Sequence, residues 1–428
     1  MKQIPLAAIY VALLLLMQNQ GHSQDWPQWR GPELNSVASS DNQIVDELSK
    51  DSLLWSLPLE SAAGSSPVVA GNRIFMTSVD KDNALVVICV KTDEGTIEWK
   101  KTVEGRHKPT RPRDGNTANN SPITDGKHLW TMFGNGQINC FTVAGEPVWD
   151  KNLQDSYNKF EIMFGMSTTP VLYDDQLFFA LIHGKRKSSE TSVGKLVSLD
   201  AKTGKERWVS SRKTDATQEN KHVYASPVID ASGQQPQLIV HGADYTTGHS
   251  LKNGKELWKV GGINPKDSYN KTLRLVSSPA VANGWIIVPT AKRGPVLGLK
   301  SGQAKRDSET ADWQSPKITP DVSSPVIHND RIFLARENGT LACLDLQTGR
   351  KLKEKRYMPD KHRSTPIAID GKLVLVDRKG KVIMVKADES LKELSSFELK
   401  EETIASPAIA NHKIFIRTYK GLHAFGNK

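Results

Sequence analysis

Apolar residues in this chain come in short runs separated by tight polar turns, and the runs follow one phrase repeated eight times. Each phrase is a Ser or Thr, a Pro, an apolar run, a polar turn and a second apolar run. Its prolines are Pro67, Pro122, Pro170, Pro227, Pro279, Pro325, Pro366 and Pro407. The first copy reads SSPVVAGNRIF, the sixth SSPVIHNDRIF and the eighth ASPAIANHKIF. Subtracting successive proline positions gives spacings of 41 to 57 residues. Short strands at a period of roughly 40–50 residues predict a β-propeller. Residues 60–428 sustain no helical period.

A second phrase follows most of the prolines: an apolar strand, a Gly turn, and Trp four residues after the Gly. It reads KTDEGTIEW, TVAGEPVW, AKTGKERW and LKNGKELW, ending at Trp99, Trp149, Trp208 and Trp258. Later copies degrade, with Lys353 at the Trp position of LQTGRKLK. With one strand between the phrases, each unit is a four-stranded meander, A to D. Pro suits the first position of strand A, where no ladder N–H is needed. Asp125-Gly126, Asn283-Gly284 and Asp370-Gly371 supply the positive φ of tight hairpins. The expected fold is all-β, an eight-bladed propeller of four-stranded antiparallel blades.

The eighth unit has residues for only three strands, while SLLWSLPL around Trp55 resembles a D strand without its A, B and C. Leu53–Leu59 is therefore expected to close the last blade, which removes an exposed sheet edge. A seven-bladed ring with one irregular unit is the alternative. Cys89, Cys140 and Cys343 occupy equivalent places in strand C of different units, so they are expected to be small, unpaired core residues.

Residues 1–23 have the charge, apolar stretch and small residues of a secretory signal, with a cut near Ser23/Gln24. The division expected is a signal at 1–23, an N-terminal segment at 24–52 carrying DWPQWRGP, and the propeller at 53–428. The apolar stretch is short for a membrane span and none follows it. Export to the periplasm or beyond is the expectation. The two tryptophans of DWPQWRGP are expected to pack onto the propeller; a plug or a carbohydrate-stacking platform is the alternative.

A meander sends its D-to-A and B-to-C loops to one face and its A-to-B and C-to-D turns to the other. The second set is short and regular. The first is long and basic, and gathers much of the formal net charge of +10. From these loops the candidate ligand- or partner-binding residues are Arg111, Arg113, Asn119, Lys185, Arg186, Arg274, Arg293, His362 and Arg363. His222, Tyr224, His241, Asp244 and Tyr245 cluster around one blade, where His, Tyr and Asp could orient a polar ligand. Such a face would attract an anion. An exported chain without a nucleic-acid-binding motif is a poor candidate for nucleic acid. No HExxH, paired CxxC, GxSxG or calcium-loop pattern occurs, so neither metal ligands nor catalytic residues are nominated.

SPVVAGNRIF and AKTGKERW are similar to the repeat of the pyrroloquinoline-quinone (PQQ)-like propellers. DWPQWRGP, HGADY, GGINP and RGP (Arg293–Pro295) resemble the exported PQQ-binding-like repeat proteins of planctomycetes and related bacteria. The resemblance covers the mature chain and implies the fold. Two better-understood relatives point in different directions. The PQQ-dependent alcohol dehydrogenases hold quinone and calcium beneath an adjacent-cysteine disulfide, and this chain has no Cys-Cys pair. The propeller lipoprotein of the outer-membrane β-barrel assembly machinery is a non-catalytic scaffold, and this chain lacks its lipid-bearing Cys. The expectation is an exported binding or scaffold protein with no cofactor, whose basic face meets an envelope protein or acidic polysaccharide. The alternative is a PQQ quinoprotein or other enzyme working in the central funnel.

Overall fold

The computed structural model describes residues 25–60, 62–108, 116–188, 190–306, 310–358 and 361–428. The expected signal, Arg111 and Arg113 lie outside them. Eight four-stranded antiparallel sheets form an eight-bladed propeller. In blade 1, strands A to D are Val68–Ala70, Arg73–Val79, Ala84–Lys91 and Ile97–Arg106. The inner strands are almost wholly buried, whereas D alternates exposed and half-buried positions at the rim.

Blade 8 takes strands A to C from the C-terminus and its D strand, Leu53–Pro58, from the N-terminal side. Ser56 pairs with His423 and Leu57 with Leu422 across this seam. The strand that precedes blade 1 and the last three strands are thus held in one sheet, as the incomplete eighth repeat required.

The Gly–Trp phrase works between blades, not within one. Gly95 has φ +66°, and a Cβ there would meet the Trp55 ring at 2.4 Å. Gly145, Gly204 and Gly254 likewise lie against Trp99, Trp149 and Trp208 of the preceding blade. Each indole also donates to a carbonyl in that next turn, Trp55 to Thr92 at 3.0 Å and Trp208 to Leu251 at 2.8 Å. Trp55 therefore docks on blade 1 as Trp99, Trp149 and Trp208 dock on their neighbours, whereas Trp258 donates within blade 4 to Gln237 at 2.7 Å. The strand-C cysteines find their reason here too. Cys89 faces Trp99 and Cys140 faces Trp149 across the sheet, with Ser198 and Gly248 opposite Trp208 and Trp258. A large side chain would collide with the indole, so the position takes small residues; Cys343, opposite Lys353, keeps the pattern.

The DWPQWRGP segment does more than coat the surface. Asp25 Oδ1 accepts from Gly71 N in an A-to-B turn at 2.9 Å. Trp26 then bridges to Val69 and Gln28 to Ile123, on the A strands of blades 1 and 2. Arg30 donates to the carbonyls of Pro279 (2.5 Å) and Pro325 (2.9 Å), and Val37 bridges to Ala368 in blade 7. The segment thus enters from the A-to-B turn face and crosses the propeller axis. Arg30 is 1% exposed, and burial lowers its pKa to about 9. Carbonyls satisfy the guanidinium without a carboxylate. Trp26, 1% exposed, packs into the propeller core as expected, and the residues after it lie across the axis as a plug.

Candidate functional site

The residue before each repeat proline is Ser66, Ser121, Thr169, Ser226, Ser278, Ser324, Thr365 or Ser406. The backbone N–H of each donates to the side-chain hydroxyl of the next, at 2.8–3.3 Å, from Ser66 to Ser121 around to Ser406, which donates to Ser66. These eight bonds close a ring around the axis. The N–H groups stand at strand starts, buried, with no ladder partner of their own, so a hydroxyl from the next blade satisfies each. Among the described residues no acceptor takes the hydrogen of any of these eight hydroxyls.

Seven of the eight line a cavity of about 440 Å³ on the axis. The plug contributes Trp29, and the wall above the ring comes from D-to-A loops: Asn119, Phe164, Tyr224, Arg274, Asp321, Arg363 and Ile404 among them. The cavity is therefore closed on the plug side and opens on the face of the long loops. Its wall is mixed: hydroxyls below, aromatic rings, apolar Val276, Val322 and Ile404, and charge of both signs.

Arg274 is positioned from two sides. Its guanidinium sits 4.9 Å over the Phe164 ring, which meets Tyr224 edge-on with centroids 5.8 Å apart. It also donates to Glu219 Oε1 at 2.9 Å, and Arg186 approaches the other oxygen at 3.6 Å. The side chain of Glu219 is 6% exposed, so two arginines offset one nearly buried carboxylate. Asp321 lies 3.6 Å from Lys292. The same lysine stands 3.3 Å from Glu337.

Of the sequence candidates, Asn119, Tyr224, Arg274 and Arg363 meet on this wall. Arg186 touches it through Glu219. Lys185 is exposed, 4.0 Å from Glu161. Arg293 is exposed in a loop with φ 64° and does not line the cavity. The others turn inward. His222 is buried with Nε2 2.9 Å from the Gly184 carbonyl. His241 bonds through Nδ1 to Thr246 at 2.8 Å; complete burial lowers its pKa to about 3 and keeps the ring neutral. Asp244 accepts from Tyr269 at 2.7 Å and Asn264 at 3.2 Å, and burial raises its pKa. Tyr245 donates to Asp215 at 3.0 Å, and His362 is buried, its pKa lowered to about 4 by desolvation. His222, Asp244 and Tyr245 tie loops together. Lys221 does the same, its ammonium donating to the carbonyls of Lys185, Ser188 and Glu190.

Sequence reasoning missed the hydroxyl ring, Phe164, Asp321 and the place of Trp29. The ring's signal was present, as a Ser or Thr before every repeat proline.

A family model described as "Outer membrane protein assembly factor BamB" matches residues 35–180 and 134–392. The chain belongs to this family of PQQ-like propellers. It is 24% identical over 233 residues to the outer membrane protein assembly factor BamB of Shewanella oneidensis, covering 53% of this chain and 55% of that protein. The chain thus spans about half the length of this curated relative. The crystal structure of BamB from Moraxella catarrhalis superposes with TM-score 0.62 at 14% identity, covering 88% of this chain and 97% of the other. Quinohemoprotein alcohol dehydrogenase from Comamonas testosteroni gives TM-score 0.68 at 12% identity, covering 97% and 82%. At these identities the structures show the fold alone.

Quinone with calcium, which likeness to the dehydrogenases implies, can be tried against the residues present. Asp321 is the carboxylate on the cavity wall and faces a lysine. Among the described residues no three His, Cys, Asp or Glu side chains are grouped to hold a metal ion. The cysteines stand singly, buried, in blades 1, 2 and 6. These residues do not fit the calcium–quinone arrangement.

Proposed function

We propose that this chain is an exported envelope protein that binds and scaffolds without catalysing a reaction, and that its long-loop face takes an anionic ligand or partner. One observation carries the reading: the axial cavity, closed by the plug, opens on that face with Arg274 and Arg363 on its wall. A rigid ring presenting variable loops is where propellers build binding sites. Family membership favours an envelope partner, since the relatives are named as outer membrane protein assembly factors. Among the described residues no helix is long and apolar enough to cross a membrane. An acidic polysaccharide is the other partner with suitable charge.

The test is charge reversal on one face at a time. Lys185→Glu with Arg293→Glu, both exposed on that face, should weaken capture of an envelope partner while leaving melting within about 0.5 kcal/mol of the parent. Capture should also fade with salt, because screening acts over roughly 8 Å at physiological ionic strength. Reversing Lys127, Lys205 and Lys252, exposed on the opposite turns, should leave capture unchanged. Equal loss from both sets would overturn the reading.

A further inference from the structure

The wall of the axial cavity combines four kinds of group that together describe a ligand. Hydroxyls of the closed ring stand at its base, each already accepting one backbone N–H and each with its hydrogen uncommitted among the described residues. A hydroxyl in that state can donate, and its second lone pair can still accept. Its natural counterpart is a group that also does both, which is another hydroxyl. Asp321 adds an acceptor for paired donors, and Arg274 and Arg363 add donors suited to a carboxylate. Trp29 from the plug, with Phe164 and Tyr224, supplies aromatic surface against which the C–H face of a ring can lie. A volume of about 440 Å³ matches a ligand of one or two rings.

Resting on the binding reading above, we infer that the cavity takes a carboxylated sugar ring, a uronic-acid type of residue. The ring hydroxyls and Asp321 meet the sugar hydroxyls, Trp29 underlies the ring, and Arg363 with Arg274 meets the carboxylate. Arg274 is shared: a bound carboxylate competes with Glu219, which Arg274 holds at 2.9 Å. Seating of the ligand therefore loosens the Arg274–Glu219–Arg186 chain leading to the outer loop. A simple anion would satisfy the arginines but leave the hydroxyl base and Asp321 unmatched. A neutral sugar would bring no carboxylate to Arg274 and Arg363. The same chemistry could arrive as a free sugar acid or as the end of a polyuronate chain.

The experiment is calorimetric titration of the full mature chain with glucuronate, galacturonate, trigalacturonate, glucose, galactose, citrate, and a peptide with a free or amidated C-terminus. Saturable one-to-one binding of a uronate is expected, at least tenfold tighter than the matching neutral sugar and than citrate. Tighter binding of the trimer would identify a chain end as the source, and equal binding a free sugar acid. Arg363→Met and Trp29→Ala should each weaken the uronate about tenfold or more, a loss of about 1.4 kcal/mol. Should Trp29→Ala unfold the plug, Arg363→Met and competition by the neutral sugar still decide the matter. Citrate binding as tightly as the uronate would overturn the sugar assignment while leaving the anion-binding reading standing. Displacement by the free-terminus peptide, but not the amidated one, would put a protein carboxyl terminus in the cavity instead. No binding of any probe, with salt-sensitive envelope capture intact, would sink the sugar inference alone; loss of that capture as well would sink both.

Discussion

Ser406 donates its backbone N–H to the Ser66 hydroxyl at 2.9 Å, although 340 residues separate them. This bond completes a chain of equivalents around the axis, and it exists only if the last blade stands beside the first. The repeat thus contains, in one residue per unit, its own measure of closure.

Replacing a ring hydroxyl strands the N–H of the preceding blade. Ser226→Ala removes the acceptor of Thr169 N and should cost about 1–3 kcal/mol, the penalty for a buried donor left unmade. Ser226→Thr should cost far less, since Thr169 and Thr365 already serve in the ring. Chemical denaturation of the two variants checks this; equal losses would deny the hydroxyl its role.

Docking of Trp55 on Gly95 separates shape from backbone conformation. Gly71→Ala places a Cβ in open space at φ +53° and should cost only the left-handed penalty, about 1–2 kcal/mol. Gly95→Ala has a similar φ of +66° but drives its Cβ into the indole. Its melting temperature should fall clearly further than that of Gly71→Ala.

Arg417 fastens the closing seam. Fully buried on strand B of blade 8, it donates to the Thr77 carbonyl at 2.7 Å, the Ser65 carbonyl at 3.2 Å and Ser78 Oγ at 3.0 Å, all in blade 1 or its lead-in. Burial lowers its pKa to about 9, still charged at neutral pH. Arg417→Met should destabilise by about 2 kcal/mol or more, as hydrogen bonds from a charged donor are lost. Limited proteolysis should then cut first beside Leu53–Pro58. Parent-like protection would show that the seam does not depend on this arginine.

Stability should fall as the medium is acidified below neutrality. His241, His249 and His362 have pKa values lowered to about 3, 4 and 4 by burial, so each stays neutral when folded. Once unfolded they take up protons near pH 6.5. The unfolded state therefore binds more protons between about pH 4 and 6.5, and stability declines as pH drops through that window. His362→Asn should flatten the slope by about one proton, near 1.4 kcal/mol per pH unit. An unchanged slope would mean that His362 is charged in the fold.

The cysteines should be silent until the ring opens. All three are free and buried, and desolvation raises Cys140 and Cys343 to about 12 and Cys89 further. A thiol reagent at neutral pH should label none in the native protein and three in denaturant without reductant. Labelling of one alone after denaturation would reveal a disulfide.

Much of this protein follows from the order of its residues alone. Prolines at strand starts, Asn-Gly and Asp-Gly hairpins and alternation in the D strands are local effects of sterics and burial, so eight meanders could be counted in advance. Even closure by Leu53–Leu59 was legible, because a unit short of one strand and a spare strand bearing Trp55 demand each other. The loop face was legible for the same reason, since a meander sorts its connections mechanically. Asn119, Tyr224, Arg274 and Arg363 reached the cavity wall on that logic.

Tertiary structure decided the rest. Whether a loop residue points to the axis or into its own blade depends on packing between neighbours dozens of residues apart. His241 and Asp244 went inward to hydroxyl and amide partners, Thr246 for the one and Tyr269 and Asn264 for the other. Trp29 and Arg30 lie across the axis where carbonyls of blades 5 and 6, together with Ser36 Oγ of the same segment, satisfy the guanidinium. The hydroxyl ring was written in every repeat as Ser or Thr, but a single unit gives that hydroxyl nothing to accept. Only eight blades at one radius bring each N–H within reach of the next.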